Sequence, residues 1–204
     1  MSNDDLYGLI LMGGQSSRME MDKSTLEYHG KSQLDHLYDL LQARLPQVFV
    51  SVRKGQSVQH ENQKIEDSLE VSGPINGIVS AMRKYPDKSW LVLAIDLPFL
   101  NKHTIDQLIE NRNPSALGTS MATQKSKLPE PLIAIWESQA LRVLEKFHYD
   151  YGMLSPRKFM IDHKFHLIHP NDDRELYNAN HPDEYRFAKS IIRKMQDDTM
   201  GNAG

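Results

Sequence analysis

Four short runs of branched apolar residues constrain the fold of this chain more than any other feature. Such runs are typical of strands in a parallel sheet that helices cover on both faces. Between the runs, apolar residues recur at the spacing of helices, which predicts strand–helix alternation. This order predicts an α/β fold, a Rossmann-like three-layer sandwich with a mostly parallel sheet. The predicted strands are Leu6–Met12, Val48–Val52, Trp90–Ile95 and Pro131–Trp136.

Five helices are predicted around these strands. One carries Leu34, Leu37, Leu41 and Leu45 on one face, and another carries Ile75, Ile78, Val79 and Met82. The length of 204 residues fits a single domain over residues 1–198, with a flexible tail at 199–204. The other three predicted helices are His103–Asn111, Ser138–Phe147 and, approximately, Pro182–Met195.

Composition excludes several classes of function. The chain has no cysteine, which excludes disulfide scaffolds, thiolate zinc sites and a cysteine nucleophile. Its net charge of -3 argues against a dedicated nucleic-acid binder. No apolar run approaches the roughly 20 residues that a membrane span needs. Because Met1–Asp5 is acidic where a secretory signal would be basic, we expect a cytoplasmic protein.

The segment that follows the first predicted strand has the residues of a triphosphate site. Gly13 and Gly14 let the backbone approach an anion closely. Arg18 can donate two hydrogen bonds to phosphate oxygens, and Lys23 adds a compact positive charge. The alternative is an ordinary turn with solvated charges. A P-loop is excluded because Asp22 stands where that motif requires a glycine.

Asp96 directly follows the predicted strand Trp90–Ile95. A carboxylate at the end of a buried strand needs solvent, a charged partner or a metal. Mg²⁺ binds one or two carboxylates together with substrate phosphates and water, so Asp96 is the candidate metal ligand. The alternative is a turn or helix-capping aspartate ahead of Pro98.

Three histidines imitate a metal motif. His163, His166 and His169 have the spacing H-x-x-H-x-x-H. However, Phe165–Pro170 has the pattern of a strand, in which residues three apart face opposite sides. The three side chains could converge on one ion only in a helix, so we favour separate roles for them.

The N-terminal segment also resembles a known family. Leu11-Met12-Gly13-Gly14-x-Ser16-x-Arg18-Met19-x-x-Asp22-Lys23 is similar to the signature L-A-G-G-x-S-x-R-M-G-x-D-K. That signature belongs to the molybdenum cofactor guanylyltransferase (MobA-like) branch of the nucleotidyltransferases. Met12 replaces an alanine, and Glu20 replaces a glycine. Glu20 would weaken triphosphate binding by charge repulsion if it pointed inward, and would be harmless if it pointed outward.

Later segments resemble the same family in the same order. Asp96-Leu97-Pro98 is similar to its D-x-P motif, and Asp67 with Gly73-Pro74-Ile75-Asn76-Gly77 to its D-x(n)-G-P-L-x-G pattern. Ser51 and Arg53 take positions that usually carry asparagines near the nucleotide, and Glu130 takes that of a histidine. Asn178-Ala179-Asn180-His181-Pro182 is similar to its N-x-N-T-P motif. The resemblance implies a sheet of the nucleotide-diphospho-sugar transferase type.

The resemblance implies transfer of GMP from GTP to molybdopterin or molybdenum cofactor, with Mg²⁺ as cofactor and pyrophosphate as the second product. Other cofactor-biosynthesis proteins are further candidate partners. The alternatives are a cytidylyltransferase, transfer to another phosphorylated acceptor, and a nucleotide-binding module without catalysis. Arg18, Lys23 and Asp96 are the catalytic candidates, with Asp96 as the metal ligand. The implied nucleotide contacts are Leu11, Met12, Gly13, Gly14, Ser16, Lys23, Ser51, Asp67, Gly73 and Asp96.

Two residues are candidates for the acceptor or its phosphate. Asn180 precedes the predicted helix at Pro182 and can either cap that helix or reach the phosphates. Arg157 lies in Ser155-Pro156-Arg157-Lys158, which the sequence predicts to be a basic turn. Its alternative role is that of a solvated surface charge.

Overall fold

The computed structural model describes residues 4–13, 25–70, 73–151 and 155–201. Seven strands form one sheet in the order β3-β2-β1-β4-β6-β5-β7. Neighbouring strands pair in parallel except where β6 meets β4 and β5, so β6 alone runs against the other six. The strands are β1 Leu6–Leu11, β2 Val48–Val52, β3 Lys64–Glu66, β4 Ser89–Ala94, β5 Gly118–Ala122, β6 Pro129–Trp136 and β7 His166–Ile168.

Helices cover both faces of the sheet, which confirms the predicted three-layer α/β fold. Each face has its own core of buried side chains, one shared with α1 and α3 and the other with α2, α4 and α5. No helix in the described ranges has the length and apolar character of a membrane span. The helices are α1 Gln33–Gln42, α2 Pro74–Lys84, α3 Lys102–Glu110, α4 Ala140–Tyr151, α5 Pro156–Asp162 and α6 Pro182–Gly201.

The four predicted strands and five predicted helices are all present, with ends that differ by a few residues. β2 and β4 are buried along their whole length, as their apolar sequences require. The sequence predicted a basic turn at Ser155-Pro156-Arg157-Lys158. These residues instead form the cap and first turn of α5. The Ser155 hydroxyl accepts a hydrogen bond from the Lys158 amide at 3.3 Å, which fixes this helix start.

The three spaced histidines lie in different local environments. His166 belongs to β7, whereas His163 follows α5 and His169 follows β7. The ring of His163 donates to the Phe159 carbonyl at 3.0 Å, and that of His169 donates to the Ala122 carbonyl at 2.8 Å. These two rings are therefore held by backbone carbonyls of separate elements.

Candidate active site

The carboxyl ends of the parallel strands meet at one edge of the sheet, where α/β folds of this kind bind ligands. The backbone of this edge is tied together beyond the strands. The Met12 amide donates to the Ser51 carbonyl at 3.3 Å, and the Ile95 amide donates to the Leu11 carbonyl at 3.0 Å. Met12, Ser51 and Asp96 thus lie at neighbouring strand ends, as the sequence predicted for candidate nucleotide contacts.

Ser51 and Asp67 are in direct contact at the ends of β2 and β3. The Ser51 hydroxyl donates to Asp67 Oδ1 at 3.3 Å. Partial burial raises the pKa of Asp67, and the Ser51 hydrogen bond and the positive charge of Arg53 oppose that rise. Asp67 is therefore a carboxylate held in place by one hydroxyl group.

The segment after Asp67 is held by a buried polar cluster on α2. The Asn76 side chain accepts from the Leu69 amide at 3.0 Å and donates to the Leu69 carbonyl at 2.8 Å. The Ser80 hydroxyl accepts from the Ser68 amide at 2.8 Å and donates to Asn76 Oδ1 at 3.1 Å. Since Asn76 and Ser80 are only 3% and 4% exposed, these hydrogen bonds fix the course of the chain beyond Asp67.

Sequence reasoning missed these positioning residues. Asn76 and Ser80 share a helix with Ile75, Ile78 and Val79 and interrupt an otherwise apolar buried face. Buried polar side chains of this kind are normally hydrogen-bonded, so the interruption itself was the available signal.

The start of α2 lies against the end of β2. Gly73 precedes α2 with a φ of 111°, a conformation that favours glycine, and Pro74 is the first residue of the helix. Gly77, four residues after Gly73, has no room for a side chain, since a Cβ atom there would lie 2.2 Å from Ser51 Oγ. The two glycines thus bring the helix start next to Ser51.

Asp96 lies two residues beyond β4, on a loop that is anchored from several directions. Its carbonyl accepts from the Ala179 amide at 2.9 Å, which brings the segment before α6 to the same edge. The buried Gln33 side chain donates to the Leu97 carbonyl at 2.9 Å, and the His29 ring donates to the Pro98 carbonyl at 2.9 Å. The partly exposed residue Asp96 therefore lies on a loop that these hydrogen bonds hold in place.

Asn180 also belongs to this edge, next to the residue whose amide binds the Asp96 carbonyl. The Glu184 carboxylate accepts from the backbone amides of Asn180 and His181 at 2.6 and 3.0 Å. Glu184, in the first turn of α6, thereby ties the helix start to the segment before it, and both roles predicted for Asn180 stay predictions. The Asn180 residue itself is exposed.

Arg157 is oriented by the first residues of β6. Its Nε donates to the Pro129 carbonyl at 3.1 Å, and its Nη2 donates to both carboxylate oxygens of Glu130 at 3.0 and 2.9 Å. Burial raises the pKa of Glu130, and the charge and hydrogen bond of Arg157 oppose that rise. Arg157 is thus a paired side chain rather than an isolated surface charge.

Several predicted residues lie outside the described ranges. They belong to the segment after Gly13, which itself has a φ of 79°, as glycine readily allows. The predicted roles of these residues in phosphate binding stay predictions. The residues concerned are Gly14, Ser16, Arg18, Glu20 and Lys23.

The residues at this edge are compatible with Mg²⁺. In the described ranges, no group of three histidine, aspartate or glutamate side chains is arranged to hold a metal ion. Mg²⁺ does not need such a cage, because it takes one or two carboxylates and completes its shell with phosphate oxygens and water. Asp96 at the ligand-binding edge, a partly exposed residue whose Oδ1 atom is buried, supplies one such carboxylate.

Comparison with curated proteins shows relatives along most of the chain. The molybdenum cofactor biosynthesis bifunctional protein of Synechocystis sp. is 33% identical over 187 residues, which are 90% of this chain and 54% of that protein. The chain therefore spans about half the length of that relative. A probable molybdenum cofactor guanylyltransferase of Methanocaldococcus jannaschii is 27% identical over 167 residues, covering 76% of this chain and 82% of that one.

Solved structures share the fold. The molybdopterin-guanine dinucleotide biosynthesis protein A of Archaeoglobus fulgidus matches with a TM-score of 0.68 at 22% identity, over 92% of this chain and 99% of that chain. The 2-C-methyl-D-erythritol 4-phosphate cytidylyltransferase of Thermus thermophilus matches with a TM-score of 0.64 at 11% identity, over 91% and 98%. A family model described as a MobA-like NTP transferase domain matches residues 8–166. The chain therefore belongs to the MobA-like NTP transferase family and is a nucleotidyltransferase.

Proposed function

We propose that the chain transfers GMP from GTP to molybdopterin or molybdenum cofactor, forming the guanine dinucleotide cofactor and pyrophosphate. The relatives named for molybdenum cofactor guanylyltransfer support this choice of substrates. The observation that carries the proposal is the meeting of Met12, the Ser51–Asp67 pair and the Asp96 loop at one sheet edge.

The site divides into two sides about Asp96. The ends of β1, β2 and β3 and the start of α2 form the nucleotide side, with Ser51, Asp67 and Gly73 as contacts. The start of β6, the start of α5 and the segment around Asn180 form the acceptor side. From this division we infer that the reacting phosphates lie near Asp96, between the two substrates.

The reaction is a displacement at the α-phosphorus of GTP. An oxygen of the acceptor's terminal phosphate forms the new bond to that phosphorus, the bond to the bridging oxygen of the β-phosphate breaks, and pyrophosphate leaves. Arg18 and Lys23 neutralise the charge that develops on pyrophosphate. The protein acts by positioning and by electrostatics, so it needs no nucleophilic side chain.

Asp96 is the residue that would hold Mg²⁺. When bound, the ion supplies positive charge to the phosphate oxygens at the reacting centre. The backbone ties of the Asp96 loop to β1, α1 and the segment before α6 hold this carboxylate at the edge. Asn180 follows Ala179, whose amide donates to the Asp96 carbonyl, and is proposed to contact the phosphates.

The test is pyrophosphate release from each of the four NTPs with Mg²⁺, with and without purified molybdopterin. Release with GTP that depends on molybdopterin supports the proposal. Release with CTP alone would replace it with cytidylyl transfer. Nucleotide binding without release would overturn it and favour another acceptor or a binding module.

A further inference from the structure

The ion pair between Glu130 and Arg157 lies on the proposed acceptor side of the site. β4 and β6 pair in antiparallel fashion with Leu93 opposite Ile133. Asp96 lies two residues beyond the carboxyl end of β4 and Glu130 is the second residue of β6, so both lie at the same edge of the sheet on neighbouring strands. The Ser120 hydroxyl donates to the Glu130 carbonyl at 3.1 Å, which ties this point to β5 as well. Glu130 therefore lies one strand from Asp96, away from the nucleotide side.

Both members of the pair keep hydrogen-bonding capacity. A carboxylate can accept about four hydrogen bonds, and Arg157 supplies one to each Glu130 oxygen. Among the described residues, nothing accepts a hydrogen bond from Arg157 Nη1, whose nitrogen carries two N–H groups. The side chains of Glu130 and Arg157 are 19% and 46% exposed. The pair thus presents acceptors and donors side by side to solvent.

The charges of the pair oppose its use as a phosphate site. A phosphate beside Arg157 would also face the Glu130 carboxylate, whose oxygen lies 2.9 Å from the guanidinium nitrogen. The attraction and the repulsion then largely cancel, because the two distances are similar. A neutral group with its own donors and acceptors has no such penalty. The pair therefore favours an uncharged heterocyclic edge over an anion.

We propose that Glu130 and Arg157 bind the pyrimidinone edge of the acceptor's pterin ring and so determine acceptor specificity. The ring N–H and the exocyclic amino group of a pterin are two adjacent donors, which match the free lone pairs of Glu130. The neighbouring ring carbonyl is an acceptor, which matches Arg157 Nη1. This inference rests on the proposed function, and it assigns the ring, rather than the phosphate, to Arg157.

The kinetic test compares Glu130→Gln and Arg157→Lys with the wild-type protein. Glutamine keeps the size of Glu130 but replaces one acceptor oxygen with a donor, and lysine keeps the charge of Arg157 but loses the planar fork. We expect KM for molybdopterin to rise about tenfold in each, the effect of losing one hydrogen bond to a charged group. KM for GTP should stay unchanged. Lys158→Ala is the matched control, since Lys158 is a neighbouring exposed cation that pairs with Asp162.

A binding test removes the dependence on turnover. The probe is 6-hydroxymethylpterin, which has the ring without a phosphate, and its intrinsic fluorescence reports binding to the full chain. We expect wild-type protein and Lys158→Ala to bind it, Glu130→Gln and Arg157→Lys to bind it at least about tenfold more weakly, and inorganic phosphate not to compete. Thermal unfolding checks that each variant is folded.

The outcomes separate the two claims. Wild-type protein that shows no molybdopterin-dependent pyrophosphate release contradicts the proposed function, whatever the pterin probe does. If the wild-type protein turns over but all variants bind the pterin equally well, the result contradicts the role of the Glu130–Arg157 pair and leaves the proposed function intact. Competition by inorganic phosphate that disappears in Arg157→Lys would show that the pair binds the acceptor's phosphate, and would also overturn the inference.

Discussion

Gly77 is the residue at which α2 comes closest to the carboxyl end of β2. We expect Gly77→Ala to destabilise the protein and weaken GTP binding, because the new Cβ would meet Ser51 Oγ at 2.2 Å and Leu11 Cδ2 at 2.7 Å. Overpacking costs about 1–3 kcal/mol, more than the roughly 0.5–1 kcal/mol that alanine gains over glycine inside a helix. Urea unfolding and GTP titration measure the two effects.

Ser51→Ala provides the control for this contact. Removing the hydroxyl takes away the atom nearest to the new Cβ, so Gly77→Ala should cost less in the Ser51→Ala background. A penalty of equal size in both backgrounds would contradict the proposed clash. It would mean that the glycine is required for another reason.

The single residue His36 makes the stability of the protein depend on pH. Burial, with a smaller contribution from the neighbouring His29, lowers the pKa of His36 to about 4. The unfolded chain, with a histidine pKa of about 6.5, therefore binds the proton first as the pH falls. Stability should therefore decrease as the pH falls through about 6.5 toward 4, by roughly 1–2 kcal/mol once solvent screening of this partly exposed ring is allowed for.

Unfolding in urea at several pH values checks this dependence. His36→Phe keeps a ring at the stack with His29 and should remove most of the loss in acid. Some loss remains, because burial also lowers the pKa of His29. His166→Gln, at an exposed position in β7, should behave as the wild-type protein does. An unchanged acid loss in His36→Phe would disprove the assignment.

Among the secondary-structure elements, the hydrophobic pattern predicted those strands and helices whose buried residues are apolar. It did not predict β5, Gly118-Thr119-Ser120-Met121-Ala122, although all five residues are buried. Its polar side chains find hydrogen-bond partners that the pattern does not reveal, with the Thr119 hydroxyl accepting from the Asn113 amide at 2.9 Å. Phe165 occupies the space over Gly118, where a Cβ would lie 2.2 Å from its ring. Such partners become visible only in the folded chain.

The residues of the candidate site also divide into those that the sequence predicted and those that it did not. Resemblance to a family made Asp67, Asp96 and Gly73 candidates because these residues lie in recognisable motifs. The residues that position them are not fixed residues of the motifs. Asn76 takes the variable position of its motif, Gln33 lies in α1, and both act through hydrogen bonds to loop backbone. The pairing of Arg157 with Glu130 was also not predicted, because it joins residues 27 positions apart through the start of a helix that was expected to be a turn.

In the molecule as a whole, the two edges of the sheet at which the strands end have different roles. The edge opposite the site holds a buried ion network in which Arg112 donates to Glu137 at 2.8 and 2.7 Å. The Ser89 hydroxyl also donates to Glu137 at 2.7 Å, and Arg112 reaches Asp5. This network joins the start of β4, the end of β6 and the chain before β1, far along the strands from Asp96.

We expect Glu137→Gln to lower stability without changing turnover. Glu137 is 2% exposed and the Arg112 side chain 9% exposed, and breaking a buried ion pair costs about 3–5 kcal/mol. The exposed pair of Arg83 and Glu145 is the control, because Glu145→Gln should cost at most about 1 kcal/mol. Urea unfolding compares the variants, and a similar loss in both would contradict a special role for the buried network.

We propose that this sheet edge transfers GMP with Asp96 as the metal ligand. The most direct measurement follows label from GTP, labelled at its α-phosphate, into molybdopterin as Mg²⁺ is titrated. The control is Asp183→Asn, which changes an exposed carboxylate in the first turn of α6. We expect Mg²⁺-dependent transfer by the wild-type protein and Asp183→Asn, and transfer reduced by at least about a hundredfold in folded Asp96→Asn. Label that never reaches molybdopterin, or Asp96→Asn that transfers it at the wild-type rate, would contradict this account.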